Sequence, residues 1–442
     1  MRVTLIKPNI GRMLSGPYVD EGRMEPLNLG VLAALTPPDV EVKLYDDRME
    51  PIPYDEPTDL VGITTETYNA RRSYEICAEY RKRGVPVIMG GVHPVLLQEE
   101  AQQHADSLFL GDAETMWAQV VDDVRHGRLK SVYNGPVGRP QPGVLTRRDL
   151  FEGKGYLPLT LVQFSRGCRF NCHFCAVARY FKKQQYYRDI PEVIAEIESQ
   201  PRKLVFFVDD NINSYPELSI KLFREIKALR IHWVSQSTID MAEDPELMDA
   251  MLESGCLGHV VGFESVDPRN LKRMRKASNL PRWERYARQL KVMREYGLQT
   301  WASFVLGYDF ETPASVKDTA DFALDNKFTF AAFNILMPYP DTPMFKQLTA
   351  ENRLLYGGKW WLHPDYRFNS AAFVPKSCSP EELTQACWDA RSRFNSFSSL
   401  IYRAVDFKTN MRNPVRFATY LQFNPIFRKE VFKKQGMRFG IH

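Results

Sequence analysis

The chain has 442 residues, of which 44% are hydrophobic and 25% are charged, as in ordinary globular proteins of two or three domains. A formal net charge of +4 is too small to drive the whole chain onto a polyanion. The N-terminus lacks the pattern of a secretory signal, and no stretch reaches the roughly 18 apolar residues of a membrane span. These features predict a cytoplasmic protein.

The first block, residues 1–145, alternates short apolar runs with segments of helical periodicity. Such alternation is typical of a parallel, doubly wound α/β sheet. Ligands bind these sheets at the carboxyl ends of the strands, here at Thr65–Tyr68, Gly90–Pro94 and Gly111–Glu114. The predicted strands are Val3–Lys7, Val40–Tyr45, Leu60–Thr64, Val85–Met89 and Leu108–Leu110, and the predicted helices are Leu27–Leu35, Tyr74–Arg83, Val95–His104 and Thr115–Arg125.

A stretch rich in Pro, Gly and Arg, Gly135–Leu150, indicates a break between domains, and we place the linker at 146–157. The alternation resumes over 158–345. Six strands with crossover helices outside them indicate a partial (β/α)6 barrel, whose active site lies at the carboxyl ends of the strands. The predicted barrel strands are Leu159–Phe164, Leu204–Val208, Ile231–Ser235, Val260–Phe263, Thr300–Val305 and Phe328–Ile335.

Three of the seven cysteines, Cys168, Cys172 and Cys175, lie within eight residues, just after the first barrel strand. In a reducing compartment such a cluster indicates a metal site rather than a disulfide framework. Three thiolates can bind three irons of a [4Fe–4S] cluster and leave the fourth iron open for another ligand. The alternative is structural zinc, but zinc usually takes four ligands in paired motifs, and the other cysteines are scattered.

The cysteine loop resembles the CxxxCxxC signature of the radical S-adenosylmethionine (SAM) superfamily, with the aromatic Phe174 before the last cysteine. The resemblance covers about 155–345 and includes Phe207–Asn211, Gly262–Ser265 and Phe304–Thr312. It implies that SAM on the cluster is cleaved to a 5′-deoxyadenosyl radical, which takes hydrogen from an unactivated carbon. The SAM-binding residues that it implies are Phe174, Asp209, Asp210, Asn211 and Glu264.

Each acidic residue among these has a structural alternative. Asp209 and Asp210 could cap a helix, because acidic side chains are common at that position. Glu264 is a further carboxylate at the end of a strand, with the same two interpretations. Their positions at the carboxyl ends of barrel strands favour a role in SAM binding.

Three loops of the first block, Val61–Thr67, Met89–Pro94 and Gly111–Glu114, resemble the Rossmann-like cobalamin-binding domains that precede many radical SAM enzymes, including C-methyltransferases. The DxHxxG loop of the other cobalamin-binding group is absent, as it is in many members of this subgroup. His93 is either a ligand-facing residue or a hydrogen-bonded turn histidine. The cobalamin contacts that the resemblance implies are Thr65, Glu66, Thr67, Gly90, Gly91, His93 and Gly111.

The last block, 346–442, is predicted to be a mainly helical extension with an amphipathic helix at Glu381–Phe394. From Ile401 onward nine Lys and Arg residues, against two Asp and Glu, interleave with aromatics. Such a tail could meet an anionic substrate, a membrane surface or nucleic acid, but a helical cap with a solvated basic face is favoured. The tail does not resemble the RNA-binding extension of the tRNA methylthiotransferases, so no nucleic-acid partner is expected.

The sequence therefore predicts a radical SAM enzyme that modifies an unactivated carbon of a small metabolite, natural product or lipid, by cobalamin-dependent C-methylation. One alternative is cobalamin-independent dehydration, rearrangement or carbon–carbon bond formation. A second alternative, from another class, is a non-catalytic metal-bound binding protein. The implied partners are a small-molecule or lipid substrate and a reductase, flavodoxin or ferredoxin as electron donor, with peripheral membrane contact possible.

Overall fold

The computed structural model describes residues 1–11 and 23–441, except for the side chains of residues 280, 282 and 283. The chain forms two compact units. The first comprises Met1–Leu157, Tyr356–Phe368 and Gly436–His442, and the second comprises Pro158–Leu355 and Asn369–Gln435. Each unit is therefore assembled from separate stretches of the chain.

The first unit contains one six-stranded parallel sheet. Its strands are β1 (Arg2–Lys7), β2 (Glu41–Asp46), β3 (Leu60–Thr64), β4 (Val87–Gly90), β5 (Ser107–Leu110) and β6 (Val132–Asn134), and its helices are α1 (Leu27–Ala34), α2 (Ala70–Lys82), α3 (Val92–Leu96), α4 (Gln98–Gln102) and α5 (Trp117–Arg125). The strand order is β2-β1-β3-β4-β5-β6, so the winding direction reverses beside β1. The predicted doubly wound sheet is confirmed, with β6 as an additional edge strand.

The predicted helix Val95–His104 is two short helices instead of one. Leu97, between α3 and α4, has φ −138° and ψ 60°, which lies outside the helical region. Pro94 stands within α3 and can donate no backbone hydrogen bond. The polypeptide therefore starts a second helix after Leu97.

The last two stretches of the first unit add aromatic side chains to it. Trp360, Trp361 and Phe439 are all buried. The ring of Phe439 lies 5.1 Å from that of Tyr366 and 6.0 Å from that of Trp360, measured between centroids. Backbone hydrogen bonds join Phe368 to the segment after residue 435, because Phe368 N donates to the Met437 carbonyl at 2.8 Å. These residues complete a hydrophobic core of the unit.

The second unit contains a six-stranded parallel sheet and a short antiparallel hairpin. Its strands are β7 (Thr160–Val162), β8 (Ser165–Gly167), β9 (Gln185–Tyr187), β10 (Leu204–Phe207), β11 (His232–Ser237), β12 (Cys256–Glu264), β13 (Gln299–Leu306) and β14 (Phe330–Ile335). The sheet order is β14-β13-β12-β11-β10-β7, in which each strand pairs with the strand of this sheet that precedes it in the chain. This regular progression is that of the predicted partial barrel. The hairpin consists of β8 and β9.

The helices of the second unit follow the strands and continue into the extension. They are α6 (Ala176–Tyr180), α7 (Ile190–Glu198), α8 (Pro216–Ile226), α9 (Pro245–Glu253), α10 (Pro268–Arg273), α11 (Tyr286–Tyr296), α12 (Pro313–Asp325), α13 (Pro343–Ala350), α14 (Pro380–Phe394), α15 (Phe397–Ala404) and α16 (Pro414–Lys434). The mainly helical extension is confirmed. In the described ranges, no helix is long and apolar enough to cross a membrane.

A row of aromatic side chains on β12, β13 and β14 marks the face of the sheet that packs against the helices. The rings of Phe263 and Phe304 stack with centroids 5.9 Å apart, and those of Phe304 and Phe333 stack at 5.3 Å. Phe263 and Phe304 also contact Phe322 on α12. The regular alternation of side chains ends at Glu264, where φ is +61° and the pairing of β12 with β13 shifts register.

Candidate functional site

The three cysteines lie in the loop that joins β8 to β9, residues 168–184. Gly167, immediately before Cys168, has φ +88°. A Cβ atom at this position would overlap the carbonyl oxygen of Gln184, the residue just before β9. Only glycine meets both conditions, so Gly167 allows the chain to leave the hairpin in the direction of the cysteines.

Backbone hydrogen bonds from other parts of the unit hold this loop. His173 N donates to the Met274 carbonyl at 2.9 Å, and the His173 carbonyl accepts from Met344 N at 3.1 Å. At the start of the loop, Gly167 N donates to the Asp210 carboxylate at 2.8 Å. The cysteine loop is therefore fixed at both its beginning and its middle.

Asp209 and Asp210 both bind the backbone that leads to the cysteines. Asp209 is fully buried and accepts hydrogen bonds from Phe164 N, at 3.1 Å, and from the backbone and hydroxyl of Ser165. Burial raises the pKa of Asp209 to about 7 and also raises the pKa of Asp210. These bonds give both aspartates a positioning role; neither caps a helix through a side-chain bond.

All three thiols of the cysteine loop are half-buried. Burial is the main cause that raises the pKa of each, and for Cys175 the neighbouring Cys172 and Cys168 raise it further, to about 12. Without metal the three groups are therefore protonated, and iron must displace those protons on binding. In the described part of the chain no three His, Cys, Asp or Glu side chains converge on a single metal ion. Cysteines that bind three separate irons of one cubane need no such convergence.

A buried ion pair accompanies the cysteines. Lys276 Nζ lies 2.7 Å from the Glu264 carboxylate. Burial lowers the pKa of Lys276, but attraction to the Glu264 carboxylate outweighs burial and leaves the pKa above its usual value. Glu264 has φ +61°, a strained backbone conformation that is uncommon for a residue with a side chain and often found at functional sites.

Sequence patterns gave no indication of Lys276. It follows α10 as one of several lysines and arginines, and its burial is visible only in the folded chain. Asn279 was equally hidden in the sequence. Its side-chain amide donates to the Gly262 carbonyl at 2.8 Å and to the Phe263 carbonyl at 3.2 Å, and so supports the strained end of β12.

Several buried polar atoms of the second unit have no hydrogen-bond partner within the described residues. They include Asn211 Oδ1, Gln185 Oε1 and the Tyr308 hydroxyl. The Phe174 ring meets the Tyr308 ring edge-on at 6.4 Å between centroids. Buried polar atoms of folded proteins nearly always have partners, so unmatched ones beside a cysteine loop fit a bound ligand rich in donors and acceptors. SAM, with its amino, carboxylate and hydroxyl groups, is such a ligand.

In the first unit, the loops after β3 and β4 are bonded to each other. Thr65 N donates to the Gly90 carbonyl at 2.8 Å, and His93 N donates to the Thr65 carbonyl at 3.1 Å. Gly91 has φ +101°, and a Cβ atom there would lie 2.5 Å from the Thr65 carbonyl oxygen. The packing of these two loops is therefore enough to require glycine at position 91. At position 90, in contrast, an added Cβ atom would make only ordinary van der Waals contacts.

His93 lies inside the first unit, fully buried. Its Nε2 is 2.8 Å from the Tyr74 hydroxyl and its Nδ1 is 3.3 Å from the Thr67 hydroxyl. Tyr74 also donates to Glu100 at 3.1 Å, and Trp361 Nε1 donates to the same carboxylate at 2.8 Å. Of the two interpretations of His93, the structure supports the hydrogen-bonded one.

The remaining predicted cobalamin contacts lie at the same edge of the sheet, in the loops that follow β3, β4 and β5. Glu66 Oε2 is 3.4 Å from Lys7 Nζ. Gly111 has φ +90° and packs against the Gly135 carbonyl. The buried hydroxyl of Thr65 has no hydrogen-bond partner within the described residues.

Together, the doubly wound sheet, the partial barrel and the three-cysteine loop define an enzyme of the radical SAM class. Residues 162–323 match the Radical SAM superfamily. Bacteriochlorophyllide d C-12(1)-methyltransferase from Chlorobaculum tepidum is 30% identical, over 83% of this chain and 82% of the relative. Bacteriochlorophyllide d C-8(2)-methyltransferase from the same organism is also 30% identical, over 82% of this chain and 84% of the relative.

A solved structure shares the fold along most of the chain. It is the radical SAM methyltransferase TsrM from Kitasatospora setae with cobalamin and a [4Fe–4S] cluster bound, with a TM-score of 0.64, 18% identity and coverage of 88% of both chains. The present chain belongs to the radical SAM superfamily, in the subgroup of methyltransferase relatives that carry an N-terminal domain of the cobalamin-binding type. The cofactors of this superfamily are a [4Fe–4S] cluster and SAM.

Proposed function

We propose that this enzyme methylates an unactivated carbon of a small metabolite, natural product or lipid in a cobalamin-dependent reaction. The observation that carries the proposal is the length of the match to the two bacteriochlorophyllide methyltransferases. An alignment over 83% of the chain cannot lie within the second unit alone, and must include much of the doubly wound sheet. Both parts of a cobalamin-dependent radical enzyme are therefore shared with proteins named as methyltransferases.

We assign the cluster to Cys168, Cys172 and Cys175. The bound cluster supplies the electron that cleaves SAM to methionine and the 5′-deoxyadenosyl radical. The protein fixes the three thiolates through the bonds of Gly167 and His173 described above.

We assign the SAM site to residues that surround the cysteine loop. Phe174 presents an aromatic ring, and Asn211 offers an amide oxygen that has no hydrogen-bond partner among the residues described. Glu264 and Lys276 place opposite charges beside the cysteines, as a ligand with both an ammonium and a carboxylate requires. Asp209 and Asp210 act in this site by holding the backbone before Cys168.

We assign cobalamin to the carboxyl edge of the first sheet. Thr65 fits this role, since its buried hydroxyl has no hydrogen-bond partner within the described residues and could bind an amide of the corrin ring. Glu66 and Gly90 belong to the same two loops, and Gly90 leaves space that a side chain would reduce. Bound cobalamin supplies the methyl group. His93 and Thr67 stabilise the loops from beneath through their mutual contact.

An electron donor such as a reductase, flavodoxin or ferredoxin completes the proposed reaction. We place the enzyme in the cytoplasm. All seven cysteines are free in the structure, as expected in the reducing compartment that such donors and an iron–sulfur cluster require.

The test is product analysis under anaerobic conditions. The reconstituted holoenzyme is incubated with SAM carrying a deuterated methyl group, a reductant, cobalamin, and an organic extract of lipids and pigments. We expect 5′-deoxyadenosine, S-adenosylhomocysteine and an extract component that gains one deuterated methyl group.

The alternatives give other products. Deoxyadenosine without S-adenosylhomocysteine, unchanged when cobalamin is omitted, would establish radical chemistry without methyl transfer and contradict the proposal. A preparation that contains one zinc, no sulfide and no SAM products would establish a binding protein instead.

A further inference from the structure

Helix α15 and the residues that follow it expose an apolar ridge, which we define as Phe397, Ile401, Val405 and Phe407. These side chains are exposed by 67%, 69%, 49% and 73%. Phe397 and Ile401 are four residues apart and so lie on one face of α15, and Val405 and Phe407 come just after the helix ends at Ala404. Single exposed apolar residues are ordinary, whereas four neighbouring ones form a surface that water solvates poorly.

The opposite face of α15 is firmly held, so the ridge is not a frayed end. Arg403 is fully buried and donates to the carbonyls of Phe328 and Thr329 at 2.9 and 2.8 Å. It also donates to the Phe394 carbonyl at 3.1 Å. The Ser399 hydroxyl, one turn earlier, is likewise bonded to the Phe394 backbone. The barrel therefore presents the ridge outward in a fixed orientation.

Helix α16 extends the apolar surface at one end of the ridge. The Arg428 guanidinium lies 4.0 Å from the ring centroid of Phe397 and 4.9 Å from that of Phe432. One cation thus joins an aromatic ring of each helix. Leu421 on α16 is also more than half exposed.

The charge around the ridge is positive. Lys408, Arg412 and Lys429 are exposed. The two acidic residues between positions 396 and 435 are engaged by cations of the protein. Asp406 pairs with Arg294 at 2.9 Å, and Glu430 pairs with Lys434. The surface therefore combines apolar side chains with exposed cations.

We propose that this face of α15 and α16 docks on the surface of an anionic lipid bilayer. The ridge would enter the boundary between headgroups and acyl chains, while the lysines and arginines meet lipid phosphates. The proposal goes beyond the methylation reaction and does not depend on it. A second copy of the chain is a poorer partner, because a two-fold axis through this face would bring equal positive charges together.

The test measures sedimentation of the holoenzyme with two kinds of vesicles, one of phosphatidylcholine and one of equal parts phosphatidylcholine and phosphatidylglycerol. We expect binding to the anionic vesicles at least about tenfold tighter than to the neutral ones, and weakening as salt rises. The variant Phe397→Ser/Ile401→Ser/Phe407→Ser should lose about tenfold or more in affinity. Lys408→Glu/Lys429→Glu should lose affinity for the anionic vesicles alone.

The matched control is Leu218→Ser/Leu252→Ser, which removes exposed leucines from α8 and α9 of the same unit. It should bind vesicles as the wild type does. Formation of 5′-deoxyadenosine by every variant verifies that the barrel is folded.

Four results would overturn the proposal. The first is a wild-type enzyme that sediments with neither vesicle, and the second is a ridge variant that binds as tightly as the control. The third is a wild-type dimer, seen by light scattering, that the ridge substitutions convert to a monomer, since the ridge would then join two copies. Retention on an oligonucleotide in place of vesicles would equally exclude a lipid surface.

Discussion

At the scale of single residues, the cysteine spacing was the strongest signal in the sequence. Three thiolates at positions 168, 172 and 175 imply an incomplete ligand set, whatever the surrounding fold. Of the charged pair beside them, Glu264 is predicted from the sequence but Lys276 is not. Lys276 becomes a candidate only because its ammonium is buried against Glu264, and burial depends on contacts between distant parts of the chain.

Replacement of one cluster cysteine should abolish radical chemistry. Cys172→Ala leaves two thiolates, which cannot hold a cubane, so we expect loss of the brown cluster absorption and of 5′-deoxyadenosine formation. Cys378→Ala, a control outside the loop, should retain about four irons per chain and full product formation. Deoxyadenosine from the Cys172 variant would refute the ligand assignment.

The buried carboxylate of Glu100 should stabilise the first unit in a pH-dependent manner. Burial alone would raise its pKa, but hydrogen bonds from His93, Trp361 and Lys359 lower the pKa to about 2. Because the folded pKa lies below the unfolded one, the stabilisation is complete above about pH 4.5 and is lost as the pH falls toward about 2.

The measurement compares Glu100→Gln with the wild type in urea unfolding, followed by tryptophan fluorescence. We expect the variant to be less stable by about 2 kcal/mol at pH 7, and the difference to shrink between pH 4.5 and 2. Glu99→Gln, an exposed neighbour, should match the wild type at every pH. A constant difference across this range would show that the charge of Glu100 does not contribute.

At the scale of elements, periodicity was sufficient for long segments and failed for short ones. Helix α9 (Pro245–Glu253) has clear local signals in the sequence, since it begins at proline after the capping Asp244. The hairpin strands β8 and β9 have three residues each, too few for any alternation to be visible. Yet this unpredicted hairpin carries the cysteine loop.

The hairpin yields a prediction at Gly167. Gly167→Ala should prevent the close approach of β8 and β9, because the added Cβ meets the Gln184 carbonyl and the φ of +88° is strained for alanine. We expect at least about a tenfold loss of cluster content after reconstitution, measured as iron and sulfide per chain.

Gly84→Ala is the matched control for Gly167→Ala. Gly84 has φ +71°, but no atom lies within 4 Å of the added Cβ, so only the backbone strain is shared. It should be slightly destabilised, by about 1 kcal/mol, with normal cluster content. Normal iron content in the Gly167 variant would show that β8 and β9 can move apart without loss of the cluster, and would contradict the prediction.

At the scale of the whole molecule, the order of folds along the chain could be predicted and the interlaced units could not. The strand and helix patterns placed a doubly wound sheet before a barrel and a helical extension. Two later stretches of the chain belong to the first unit, Tyr356–Phe368 and Gly436–His442. The tertiary contacts that hold them there leave no local pattern in the sequence. Buried aromatics at 360, 361 and 439 look like ordinary core residues in the sequence.

The interlacing predicts that a residue near the C-terminus stabilises the N-terminal sheet unit. Phe439→Ala removes a buried ring packed against Trp360 and Tyr366, and should lower the free energy of unfolding of the first unit by about 3 kcal/mol. Arg438→Ala, the exposed adjacent residue, should have little effect. Calorimetry distinguishes the two, and an unchanged thermal midpoint for Phe439→Ala would contradict the prediction.

The split composition of the first unit also bears on how the protein is made. A ribosome releases Met1–Leu157 long before it has synthesised residues 436–441, so the sheet that emerges first is the last to receive all of its core. The core of the nascent sheet therefore remains incomplete even after the iron-binding loop has left the exit tunnel. A chain that stopped before residue 436 would therefore leave aromatic surface uncovered in the first unit, where quality-control proteases can recognise it.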